Sequence, residues 1–417
     1  MGSVNKTLGE ESFAMLSSED VASLAADFAG EIVRPVDPGY DDAREIWNGM
    51  IDRYPALVAR CSGVADVVAA VNFAREQGLE VAVRGGGHNV AGTAVNDGGI
   101  VVDLSEMTAV RVDREAETVR AEGGATLGDV DRETQLFGLA TALGAVSQTG
   151  IAGLTLNGGY GHCSREYGLA LDNLVSVDVV TADGRVRTAS RERNADLFWG
   201  LRGGGGALGI VTSFEYELHE VGPEVDALFT WFRADEVFGS LLEGVTPLVD
   251  LSGEMAYVDL QSMLDEDYPD GLRYYWKAIY LEELDDAIVD LMLEYNESAP
   301  SELSTLDLWH LDGAVADVPR DETAFWHRDK SHMLTVEANW EDPDADDANL
   351  EWAREAITET ETLSVASGRY GNFPGLYEEP ARARYGDNYD RMVDLKTEYD
   401  PENLFRLPGN VEPRVDD

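Results

Sequence analysis

The chain has 417 residues, more than the roughly 250–300 that a single hydrophobic core supports, so two lobes are expected. Its 31 Lys and Arg against 80 Asp and Glu give a formal net charge of −49, which argues against nucleic acid and anionic membranes as partners, since both call for basic patches. Disorder is excluded by 44% hydrophobic residues together with 8 Trp, 16 Tyr and 12 Phe, which a disordered acidic chain lacks.

Residues 1–29 read as an N-terminal extension. They hold no basic segment followed by an apolar run, and no stretch of the chain approaches the ~18 apolar residues of a membrane span. The two cysteines, Cys61 and Cys163, cannot make a disulfide framework and suit a reducing compartment, so a cytoplasmic protein is expected. Val64, Val67, Val68, Val71 and Phe73 fall at helical spacing and predict a helix over 63–78. Glycines then crowd into 84–99, 123–128, 150–168 and 203–209, beside β-branched runs at 80–83, 100–102, 174–180 and 210–216. Glycine at a strand edge lets backbone approach a ligand closely. Residues 30–220 are therefore expected to form an α+β domain around a bound ligand. Beyond residue 220 the glycines thin out. Aromatic strand-like runs (227–232, 273–281, 333–340) alternate with acidic helical stretches (282–295, 347–361), marking a second domain over 221–379. The run 388–401 reads as a last helix and 403–411 as a closing loop within a C-terminal segment, 380–417, that returns to the first domain.

The most informative stretch is Val81-Ala-Val-Arg-Gly-Gly-Gly-His-Asn-Val-Ala-Gly92, a strand running into three glycines and a histidine. Bare backbone N–H groups in such a loop form a nest for a diphosphate, and Arg84 can add charge-assisted bonds. No GK[ST] follows a glycine cluster and no G-x-G-x-x-G opens a helix after the first strand, which argues against P-loop and Rossmann sites.

Arg84-Gly-Gly-Gly-His88 resembles the diphosphate loop of the vanillyl-alcohol-oxidase (PCMH-type FAD-binding) superfamily, and within it of the berberine-bridge-enzyme-like branch. Further segments agree in order: Thr149-Gly-Ile-Ala-Gly-Leu-Thr-Leu-Asn-Gly-Gly-Tyr-Gly161 with Ser164-Arg-Glu-Tyr-Gly-Leu169 and Asp172-Asn173; Asp196-Leu-Phe-Trp-Gly-Leu-Arg-Gly-Gly-Gly-Gly206 with Leu208-Gly-Ile-Val-Thr-Ser-Phe214; and, later, Tyr370-Gly-Asn372, Tyr385-Gly-Asp-Asn-Tyr389 and Tyr399-Asp-Pro-Glu-Asn-Leu-Phe405. The resemblance implies an α+β, two-lobe fold: a PCMH-type FAD-binding domain and a substrate domain whose antiparallel sheet is covered by helices. It implies FAD held covalently through His88, bonded to the 8α-methyl carbon of the flavin. Arg84, Gly85, Gly86, Gly87, His88 and Asn89, then Thr149, Gly150, Gly153, Leu154, Gly158, Gly159, Tyr160, Gly161 and His162, then Gly209, Ile210 and Val211, and finally Asn410, are expected at the cofactor. Pro408-Gly409 stands where a polar pair is common, which weakens the case for Asn410. Val146 and Ser147 stand where some relatives carry a second, cysteine tether, so one flavin bond is expected. Cys163 reads as a small buried residue lining the flavin ring, and no metal is expected.

On the substrate side the resemblance places Tyr370 over the flavin, where it can accept the proton; Lys277 or another nearby cation would lower its pKa, and Tyr275 and Asn372 are secondary candidates for orienting substrate. His327 and Arg328 read as a surface ion-pair element. The implied reaction is hydride transfer from a small organic substrate, a sugar or secondary alcohol going from hydroxyl to carbonyl, with O2 as acceptor. The alternatives are a dehydrogenase serving a quinone or protein carrier, and a flavin-binding protein without turnover.

Lys6, Lys277, Lys330 and Lys396 are the only lysines, and such acidity resembles that of proteins working in molar salt, where screening over a few ångströms relieves self-repulsion. The melting temperature is therefore expected to fall as salt is withdrawn. A calorimetric midpoint unchanged between molar and millimolar salt would contradict this.

Overall fold

The helix read over 63–78 forms as α1 (Val64–Gln77) and stops at Gly78, which adopts φ 66° in the left-handed region. The protein's fold is a computed structural model in which residues 16–228, 230–231, 249–406 and 409–414 are described. Residues 1–15 of the N-terminal extension, Phe229 and Phe232 of the run 227–232, and Pro408 lie outside the described residues.

Three sheets carry the structure. The first contains β1 (Glu31–Val33), β2 (Leu57–Arg60), β3 (Val81–Arg84) and β4 (Ile100–Asp103), in the spatial order β1-β2-β4-β3. Strands β2 and β3 both run parallel to β4, and α1 makes the crossover between β2 and β3. The second is antiparallel: β5 (Val110–Asp113), β6 (Thr118–Glu122), β7 (Leu174–Val180), β8 (Val186–Ser190) and β9 (Ile210–Glu217), ordered β5-β6-β9-β7-β8. The apolar residues of β6, β7 and β9 alternate into a core that also takes Leu197, Phe198 and Leu201.

The third sheet, also antiparallel, has β10 (Arg273–Leu281), β11 (Thr305–His310), β12 (His332–Trp340) and β13 (Ala366–Ser367) in the order β11-β12-β10-β13. Alternation gives it two distinct faces. Tyr275, Ile279, Leu281, Leu334, Val336, Ala338 and Trp340 pack beneath α2 (Asp286–Ser298) and α3 (Asp346–Glu361). Trp276, Asp307, Trp309, Met333 and Glu337 project from the other face toward the first two sheets. The strand β11 has no counterpart in the sequence reading, and the run 227–232 is broken, with strands at Glu224–Ala227 and Thr230–Trp231.

Two buried ion pairs stitch these layers together. Arg328 and His327, read as a surface element, are buried instead. Arg328 is 1% exposed and forks onto both Asp172 oxygens at 2.6 and 2.7 Å, and His327 stacks on Tyr280. In α4 (Tyr389–Tyr399) the buried Lys396 ammonium donates to Asp400 at 2.5 Å and to the Ala207 and Phe405 carbonyls at 3.1 and 2.7 Å. That anchors the last helix to the glycine-rich segment 203–209. Among the described residues no helix is long and apolar enough to cross a membrane.

Candidate active site

Beyond β3 the chain turns through Gly85, Gly86 and Gly87, and a second glycine segment lies directly against it. A Cβ on Gly86 would stand 2.5 Å from the Gly150 nitrogen, and one on Gly150 would stand 2.4 Å from the Gly86 nitrogen. Neither position has room for a side chain, so the two loops make one wall of bare backbone. The wall bounds a cavity with about 1980 Å³ of space, counting the solvent at its mouth. From the first loop Gly85, Gly86, Gly87, His88 and Asn89 line it; from the second, Thr149, Gly150, Gly153, Leu154 and Tyr160. Gly209, Ile210 and Val211 at the start of β9 and Asn410 in the closing loop complete the expected cofactor side, and Tyr370 and Asn372 face the same space. A long cleft floored by glycine backbone fits a dinucleotide, whose diphosphate needs amides and no intervening side chain.

His88 sits at the meeting of the lobes. Its ring stacks on Trp47 at a centroid distance of 4.9 Å, and Trp47 stacks in turn on Tyr274 at 3.7 Å. Burial pushes the imidazole pKa down to about 4, against the opposing pull of Asp270 and Asp265, so the ring is neutral at physiological pH with a nitrogen lone pair available. Val146 is on the cavity wall, while Ser147 is tied by backbone and hydroxyl to Asp265 at 2.8 and 2.5 Å.

Tyr370 is buried, and its phenolic oxygen accepts the Gly159 N–H at 3.2 Å and the Asn372 side-chain N–H at 2.9 Å. Asn372 is held for that task by a second bond to the Leu154 carbonyl at 3.2 Å. Gly158 is required beside it, since at φ 135° a Cβ there would meet the Tyr370 ring at 3.0 Å and Phe325 at 3.2 Å. Burial raises the Tyr370 pKa, and the donors from Asn372, Gly159 and Tyr160 offset only part of that rise.

Several expected site residues stand elsewhere. Arg84 does not line the cavity: its stem lies beside Gly87, and its guanidinium donates to the buried Asp103 carboxylate at 2.5 Å and to the Glu45 carbonyl at 3.0 Å, bracing the strand instead of a diphosphate. Tyr275 and Lys277 belong to the helix-covered face of β10. The Tyr275 hydroxyl donates to Glu378 at 2.6 Å, and Lys277 pairs with Glu379 and, at 3.5 Å, with Glu378. Lys277 thus has no part in tuning Tyr370. Gly158, Gly159 and Gly161 shape the second loop from behind the wall, and His162 points outward as an exposed side chain. Cys163 does not line the cavity; its sulfur lies 3.8 Å from the Tyr257 hydroxyl.

The wall also contains groups the sequence reading passed over: Trp47, Tyr268, Asp307, Trp309, Glu337, Tyr377 and Arg384. Arg384 reaches the Tyr385 hydroxyl near Gly205. Asp307 and Trp309 come from β11, whose Thr-Leu-Asp-Leu-Trp-His run alternates apolar and polar residues without a flanking glycine. The alternation over 305–308 is the one local signal that could have found this strand.

Comparison with known proteins agrees with this geometry. Residues 55–190 match the family model described as FAD binding domain, and residues 369–412 match the one described as berberine and berberine like. An FAD-linked oxidoreductase of Dictyostelium discoideum is 30% identical over 88% of this chain and 91% of its own. The (R)-6-hydroxynicotine oxidase of Paenarthrobacter nicotinovorans is 31% identical over 92% of this chain and 97% of its own. Among solved structures, 6-hydroxy-D-nicotine oxidase from Arthrobacter nicotinovorans superposes with a TM-score of 0.83 at 28% identity, covering 93% of this chain and 98% of that one.

The Gly86–Gly150 contact yields a direct expectation. Gly86→Ala forces two backbones apart, destabilising the protein by about 1–3 kcal/mol and stripping most of its flavin. The ratio of visible to ultraviolet absorbance and the thermal midpoint check it; a Gly86→Ala protein with full colour would contradict the account.

Proposed function

The chain belongs to the berberine-bridge-enzyme-like family of FAD-linked oxidoreductases, and on that premise we propose that it dehydrogenates a small organic molecule at a carbon bearing a hydroxyl or amino group, with Tyr370 taking the heteroatom proton. When bound, FAD supplies the hydride acceptor at N5 and passes the electrons to O2 as hydrogen peroxide. The two glycine loops hold the diphosphate, and His88 carries the flavin at its 8α-methyl carbon. That assignment is supported by the neutral imidazole, which has the lone pair such a bond requires, and by the Trp47 stack that fixes its plane. The position of Val146 and the absence of both cysteines from the wall favour a single tether.

The observation that carries the reading is the environment of the Tyr370 oxygen. Two N–H donors already point at it, so the negative charge of the phenolate that accepts the substrate proton is met by fixed dipoles. Asn372 acts here as a positioning residue. Tyr280, Phe325 and Phe373 pack around the ring and exclude water. Hydroxyl-to-carbonyl oxidation of a sugar or secondary alcohol is one form of this chemistry, and dehydrogenation beside nitrogen needs the same groups.

Tyr370→Phe is expected to lower kcat by about 10²–10⁴ while leaving the flavin content unchanged. Because Tyr370 is held above the ordinary tyrosine value, its basic form is scarce at neutral pH, and kcat/KM should climb through the alkaline range. A profile that levels off above about 6 would instead place the base on Asp307, whose carboxyl is pushed up to about 6 by burial. An oxygen pulse after anaerobic reduction checks the acceptor: rapid return of the visible band with peroxide marks an oxidase, slow return a dehydrogenase.

A further inference from the structure

The third sheet shows the cavity an aromatic face interrupted by two acids. Asp307 in β11 lies opposite Thr335 in β12, and Glu337 is two residues further along β12, so both side chains project from one face. Their carboxyls hydrogen-bond each other. Glu337, only 2% exposed, also accepts the Tyr268 hydroxyl at 3.1 Å and the Thr335 hydroxyl at 3.2 Å.

Asp66 and Asp131 are also buried without a counter-charge, but they bond backbone N–H groups and Gln261 away from the cavity, whereas this uncompensated pair lines it. The buried acids Asp103, Asp172 and Asp400 each hold an arginine or lysine: Arg84, Arg328 and Lys396. Neither Asp307 nor Glu337 has a lysine or arginine partner among the described residues. Glu337 is buried and Asp307 half-buried, and two carboxyls so placed side by side are costly unless they share a proton or meet a cation. Burial raises both, Glu337 further through the nearby Asp307, so sharing relieves one charge and leaves the other facing the cavity. Around that charge stand Trp276, Trp309 and Tyr268, whose ring faces attract cations. The Trp309 indole N–H is buried without a partner.

We propose that Asp307 and Glu337 select a substrate carrying a protonated nitrogen, a small aromatic or cyclic ammonium seated between the carboxyl pair and the rings of Trp276 and Trp309. This deepens the flavoenzyme reading above and rests on it. The cationic nitrogen supplies the charge that the protein withholds from this wall, and the neutral arm of the same molecule packs on the indoles. A neutral sugar or alcohol of the same size gains the packing and forgoes the ion pair.

The test is anaerobic titration calorimetry of the flavin-loaded protein with 2-phenylethylamine and with its neutral isostere 2-phenylethanol. The amine is expected to bind at least about tenfold tighter. In Asp307→Asn and Glu337→Gln, both near-isosteric, that gap should close to within about threefold while 2-phenylethanol affinity and the visible flavin band stay at wild-type values. Alcohol binding as tight as the amine, no amine binding at millimolar concentration, or a gap that survives both substitutions would overturn the inference, and in yellow protein would leave the flavoenzyme reading standing. Colourless wild-type protein would overturn that reading, and the inference with it.

Discussion

The site depends on two backbones in contact. Gly86, at the end of a strand in the first sheet, and Gly150, at the entry to a short helix beside the second, approach so closely that each occupies the space the other's Cβ would take. This contact joins the two loops into one wall, and that wall bounds the cavity on the cofactor side. Everything attributed to the cofactor side, including the presentation of His88, follows from that absence of side chains. Glycine is entropically costly to order, and the surroundings offset the cost with rigid supports: Arg84 locked on Asp103 beneath the first loop, and Lys396 and Asp400 clamping the segment near Ala207.

The substrate side is built on a different principle. A β-sheet offers two faces at fixed parity, and here one is spent on packing against α2 and α3 while the other walls the cavity. On the packed face the buried Lys277 is paired, meeting Glu378 and Glu379, and Arg354 also meets Glu378. The open face holds aromatic rings and an acid pair without a basic partner. Chemistry and stability are thus separated by a single residue step along each strand. A one-residue shift in reading β10 exchanges Trp276 for Lys277 and so exchanges a wall of the site for an ion pair buried on the opposite face.

That step explains how much of the protein was legible from its sequence. The glycine clusters marked the cofactor cleft because glycine is demanded by backbone geometry, which is local. The run from Gly85 to Asn89, with Thr149, Gly150, Gly153, Leu154, Tyr160, Gly209, Ile210, Val211 and Asn410, does come together around one cavity, along with Tyr370 and Asn372. Strand β7 forms with the limits expected, and α1 within a residue at each end. The misses share a cause. Arg84, Tyr275, Lys277 and Cys163 have suitable chemistry near suitable motifs, but the direction of a side chain is fixed by partners distant in sequence: Asp103, Glu378, Glu379 and Tyr257. Asp307 and Trp309 escaped because β11 carries no glycine or proline punctuation, and nothing local ties it to the site.

The bare cleft and the neutral imidazole beside it are proposed to serve a tethered flavin. The most direct measurement is acid precipitation of the purified protein, followed by proteolysis and mass spectrometry of the peptide spanning His88. The yellow colour is predicted to stay with the precipitate, and that peptide to carry the added mass of one FAD on the histidine, with no second adduct at Ser147. An unmodified His88 peptide from protein made with ample riboflavin would contradict it.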